Sequence, residues 1–181
     1  MAASAQGKWA DVLTHAERSL SYTDALGLAS ESTRWVWSIA ADAALALGDY
    51  AEVERLLGWL DEYPIGHIPP VLRAERFRIR ARLLAAQADP EAGAAFDAAT
   101  KAFRELGSPY HLAVGLLDHA EHLAATGNTG TAQQFAAEAD AIAQRLGAKP
   151  LTARALALLP GGARSLTPST GGDDFAPVGA G

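Results

Sequence analysis

Apolar and small residues recur along this chain at spacings of three and four, which gathers them on one face of an α-helix. The run Ala92, Phe96, Ala99, Phe103 and Leu106 shows the pattern most clearly. Other stretches carry the same period and align with one another. The segment GKWADVLTHAERSL from Gly7 is echoed forty-one residues later by GDYAEVERLLGWLD from Gly48. A third copy, GNTGTAQQFAAEAD, starts at Gly127, and Ala88 takes the glycine's place midway between the two. Eleven residues before these last three markers stand Trp37, Phe77 and Leu116. Seven before stand Ala41, Ala81 and Ala120, and four before stand Ala44, Leu84 and Leu123. These offsets share one helical face, with large residues at its ends and a small one between, where a neighbouring helix can come close. Ala41, Ala81 and Ala120 are therefore expected to be buried at helix contacts. A period near forty is that of a helical solenoid, in which each two-helix unit buries its apolar face on the next.

The pattern predicts helices near 8–21, 31–47, 49–62, 71–87, 91–106, 110–126, 130–146 and 150–159. Gly48 and Gly127 suit the left-handed conformation that ends a helix, and Asp49 can cap the next one. Pro69 and Pro70 pre-set the start of the fourth helix, and Asp89-Pro90-Glu91 combines a cap, a first-turn proline and an acid. The expected fold is all-α: a short right-handed α-solenoid of about eight antiparallel helices over residues 1–159. The remainder, 160–181, is rich in Gly, Pro and Ser without apolar periodicity and reads as a disordered tail. The Gly7 copy has no preceding helix, so the domain reads as starting in mid-repeat. Val12, Leu13, Ala16 and Leu20 are then not all expected to be covered, and a homodimer through this helix is one way to cover them.

Composition narrows the function class. At 181 residues with 49% hydrophobic content, the chain can bury a substantial core. Its formal charge of -6 opposes nucleic-acid binding. With no cysteine, disulfides, thiolate metal sites and a Cys nucleophile are excluded. No apolar run suggests a membrane span and no secretory signal is evident, so a cytoplasmic protein is expected.

Trp37, Ala41 and Ala44, then Gly48-Asp49-Tyr50, then Val53, Leu57 and Leu60, resemble the tetratricopeptide consensus, although the units here are longer. The stretch Ala102–Asn128, AFRELGSPYHLAVGLLDHAEHLAATGN, is similar to the C-terminal helical tails of actinobacterial signalling ATPases. Those include adenylate cyclases fused to an ATPase module and transcription regulators of the maltose-activator and LuxR type. The resemblance covers roughly residues 30–159. It implies a non-catalytic interaction or regulatory scaffold that works with a protein partner or with upstream domains of the same polypeptide, and no cofactor or catalytic residue.

Three constellations invite a sharper reading. In DHAEH, Asp118 and His122 are four apart on one helix face, a spacing that can hold a divalent metal and would make a small metal-dependent enzyme. His111 lies about 16 Å away along the axis, too far to add a ligand, so packing is the preferred account. In RAERFRIRAR, Arg73, Arg76 and Arg80 share a face and Arg78 and Arg82 another. The first three are candidate partner-binding residues on the concave side, against the reading of a solvated face balanced by Glu75. A deep pocket near Arg76 would instead point to a ligand-sensing domain. Trp35 lies about 200° from Trp37 around its helix, so both cannot face one core. Trp35 is therefore either packed elsewhere or an exposed binding anchor. No Walker, HExxH or GxSxG pattern occurs.

Overall fold

The computed structural model describes residues 2–160. The order is α1 (Ala2–Leu20), α2 (Thr23–Leu26), α3 (Glu31–Leu47), α4 (Tyr50–Asp61), a 3-10 turn (Ile65–His67), α5 (Pro70–Ala86), α6 (Ala92–Leu106), α7 (Pro109–Ala125), α8 (Thr129–Leu146) and α9 (Lys149–Leu158). No strand occurs among the described residues, and the fold is all-α. None of these helices is long and apolar enough to cross a membrane. The tail expected after Pro160 lies outside the described residues.

Helix ends follow the chemistry of their residues. Gly48 closes α3 at φ 73° while the Asp49 N–H donates to Ala44 O at 2.9 Å, and the Asp49 carboxylate then accepts the Glu52 N–H at 3.1 Å to start α4. After α7 the same closure uses Gly127 at φ 87°, with the Asn128 N–H on Leu123 O at 2.8 Å. Between them, Ala88 adopts φ 54° and the Asp89 N–H reaches Leu84 O at 2.9 Å. The three markers of the repeat thus make one backbone turn, although only two carry the residue suited to it. An L-residue in this region is strained by about 1–2 kcal/mol, of which the greater freedom of glycine in the unfolded chain returns a part. Ala88→Gly is accordingly expected to stabilise the fold by roughly 0.5–1 kcal/mol, read as a raised urea midpoint with unchanged slope.

Successive long helices pack against one another, and α3, α5, α7 and α9 also touch in sequence to form a row. Ala41, Ala81 and Ala120 are fully buried where the helices approach. One core joins α1, α3, α4 and α5 around Trp37, whose indole N–H donates to Leu56 O at 3.0 Å. A second joins α7, α8 and α9 around Leu116, Leu117 and Ile142. Phe96 and Phe103 of α6 are buried as well, and Phe103 lies directly over Gly115 of α7.

The apolar stripe of α1 is not wholly covered, as expected: α1 packs on α3 with Leu13 and Ala16 buried, while Val12 and Leu20 are only half-buried against the same core. One expectation needs correction. Phe77, aligned with Trp37 and Leu116, is 43% exposed. On α5 the buried residues run along Leu72, Ile79 and Leu83 on one side and Ala74 and Ala81 on another, and Phe77 lines an open groove between the 3-10 turn and α6.

Candidate functional site

The row of α3, α5, α7 and α9 is stitched by charge. Arg78 of α5 is 3% exposed and donates to three carboxylates: Glu75 at 2.7 Å, Asp118 of α7 at 2.8 Å and Asp42 of α3 at 2.9 Å. Arg82, one turn on, donates to the other oxygen of Asp42 and lies 3.7 Å from Asp118. Arg154 of α9 completes the series with 2.8 Å contacts to Asp118 and Glu121. Across neighbouring helices acid thus meets base, with Glu75 as an added acid on α5 beside Arg78. Burial works against the Arg78 charge, yet Glu75, Asp42 and Asp118 raise its pKa well above the ordinary value. Burial alone would raise the pKa of Asp118, but Arg78, Arg82 and Arg154 outweigh it and hold this carboxyl below its usual range.

Beside this network, α3, the start of α5 and the α6–α7 turn enclose a cleft of about 480 Å³. Its rim is apolar: Trp35, Ile39 and Tyr110 are 44%, 44% and 43% exposed. The Trp35 ring lies 6.1 Å from Tyr110 and 5.7 Å from His111. Glu75 and Arg78 form the floor, with Glu31 and Arg34 on the α3 side. The His111 Nδ1 lies 2.7 Å from the Ser108 hydroxyl. Burial, helped by Arg78 and Arg34 and opposed by Glu75, lowers the pKa of His111.

The sequence-derived candidates fall apart spatially. Trp35 stands at the cleft, partly exposed. Arg73, Arg76 and Arg80 do not line this inner face: Arg76 pairs with Asp61 at the end of α4, and Arg73 and Arg76 border a separate groove of about 430 Å³ against α6. They point away because Arg78 and Arg82, on the opposite side of α5, are drawn between α3 and α7 by the carboxylates there. Asp118 and His122 border one groove beside α6, but each is engaged by other groups. Both Asp118 oxygens accept from arginines, and His122 stacks on Phe96 at 4.8 Å. Among the described residues, no group of three or more His, Cys, Asp or Glu could hold a metal ion. His119 is buried, with Nδ1 3.1 Å from the Thr100 hydroxyl and its ring between Phe96 and Phe135. Burial lowers its pKa despite Asp97 at 3.9 Å.

The network escaped the pattern of apolar residues, but a signal was present. Asp42, Arg82 and Glu121 each stand six residues before a repeat marker, so one register carries alternating charge. Comparison with family models, with curated proteins and with solved structures returned no match.

The two depressed histidines set a pH dependence. His111 and His119 bind protons less readily in the fold than in the unfolded chain, so the unfolded state takes up more protons as pH falls through about 6.5. Stability present above that pH should decline toward pH 5, seen as a falling urea midpoint. His111→Gln should flatten this decline, since the variant removes one of the two groups.

Proposed function

We propose that this chain is a non-catalytic interaction scaffold of tetratricopeptide-like, right-handed solenoid type, with the α3–α5–α7 cleft receiving an extended segment of a partner protein. The observation that carries the reading is the rim of Trp35, Ile39 and Tyr110, three large side chains left exposed together beside a buried charge network. Exposed aromatic and aliphatic residues around a cleft are the anchors from which protein contacts draw most of their energy. The packed row beneath holds that rim in place, so little ordering cost falls on the scaffold side. A regulatory role beside a cytoplasmic signalling ATPase, cyclase or transcription regulator is part of the proposal. It rests on the resemblance of Ala102–Asn128 alone.

Selection from a random displayed-peptide library tests the interaction role. Selected peptides are expected to lose binding to Trp35→Ala and Ile39→Ala, and to keep it with Arg76→Glu on the opposite face. If no peptide is enriched, or the enriched ones ignore Trp35, the reading fails. The cleft volume also lies within the range of small-molecule sites, which favours ligand sensing as the second reading. A metabolite that stabilises the wild type but not Trp35→Ala, with no peptide selected, would decide for it.

A further inference from the structure

Glu75 is 4% exposed and lines the cleft floor, yet only half of its carboxylate is engaged. Its Oε2 accepts from Arg78 Nε at 2.7 Å, whereas no donor among the described residues reaches Oε1. Oε1 is not sealed from the cleft, which it lines at the floor, so a donor that enters can reach it. The charge balance has the same sign. Asp42, Glu75, Asp118 and Glu121 are set against Arg78, Arg82 and Arg154, so the network holds one carboxylate more than it has guanidiniums. Arg34 adds a cation at the cleft, but Glu31 stands three residues before it on the same helix face and offsets it. His111, its pKa lowered by burial, is less readily charged than an exposed histidine. Above the floor, the Trp35 and Tyr110 rings line the cleft 6.1 Å apart.

We infer that the cleft recognises a basic side chain, arginine or lysine, of the partner segment, with its charged head on the open oxygen of Glu75 and its stem along Trp35 and Tyr110. This rests on the interaction reading above and specifies its chemistry. A cation over aromatic rings gains from the ring quadrupoles as well as from the carboxylate. An acidic head would meet Glu75 and Asp42 at the floor with Arg78 already saturated by three carboxylates. The overall charge of -6 adds long-range attraction for a basic partner.

The test uses the whole chain and three defined pentapeptides, acetyl-Ala-Leu-X-Leu-Ala-amide, with X arginine, citrulline or glutamate. Binding is followed through the indole N–H signals of the four tryptophans by NMR, with Trp35 assigned from Trp35→Phe. The arginine peptide is expected to shift the Trp35 signal saturably, and the citrulline and glutamate peptides to bind at least tenfold more weakly. Glu75→Gln, with its fold verified by circular dichroism, should remove that preference. Because Glu75→Gln also loosens Arg78, Glu31→Gln at the exposed rim serves as a second variant and should weaken the arginine peptide severalfold. Equal binding of all three peptides, or no response to the arginine peptide, overturns the inference. Library peptides that depend on Trp35 but carry no basic residue would overturn it while leaving the interaction role standing.

Discussion

Asp118→Ala is expected to lower stability by about 3 kcal/mol, the lower end of the range for breaking a buried ion pair. Asp118 receives Arg78 and Arg154 on its two oxygens, and its loss leaves Arg78 buried with two carboxylates in place of three. The cost arises chiefly from the charge left behind, so the lower end applies while Glu75 and Asp42 remain. For a domain of this size the midpoint of thermal unfolding should fall by about 6–12 °C. The pH dependence provides a control. The folded pKa of Asp118 is depressed, so its contribution is complete above the unfolded value near 4 and is lost as pH falls through the folded one. Wild type and Asp118→Ala should therefore converge in stability at strongly acid pH. A constant difference down to pH 2 would mean that the loss comes from packing and not from charge.

Gly115→Ala poses a contest between two effects of known sign. Alanine in a helix interior is favoured over glycine by about 1 kcal/mol, so α7 taken alone would gain. A Cβ at this position, however, would stand 2.4 Å from Phe103 Cδ2 and 2.8 Å from Cε2. Phe103 is fully buried, and a packed interior gives way reluctantly. The clash should win, with a net loss of about 1–3 kcal/mol. Phe103→Leu removes the ring edge that causes it. In the Phe103→Leu background Gly115→Ala should cost less, by a coupling of about 1 kcal/mol or more in a double-mutant cycle. If Gly115→Ala instead stabilises, α6 and α7 have room to separate.

The eight long helices were legible because their apolar spacing, glycine closures and first-turn prolines all point to the same boundaries. From α3 onward the expected ends lie within one residue of those observed. The start of α1 was placed at residue 8 and lies at Ala2, because Ala2–Gly7 has no apolar spacing to mark a helix. Helix α2 and the turn at Ile65–His67 are too short for periodicity to register. The site was harder. Trp35 could be singled out by its angle from Trp37, but the burial of Arg78 between α3 and α7 could not be read from the arginine run. A charged residue defaults to the surface, and Arg78 overturns that default only because α3 and α7 bring Asp42 and Asp118 to it. That information lies thirty-six and forty residues away in the chain, not in the local run.

The alternation of charge across α3, α5, α7 and α9 bears on how such an array can change in length. Apolar packing tolerates the loss or gain of a unit, since neighbouring faces are alike. The charges do not. Excising α5 with α6 would set Asp42 against Asp118, two acids with no arginine between them, whereas the intact order gives each acid a base. The row thus behaves like a sequence of opposite poles, in which a single link removed from the middle leaves like facing like. Units of this array are therefore not interchangeable, and viable shortening or lengthening would proceed by two units at a time or by compensating charge reversal.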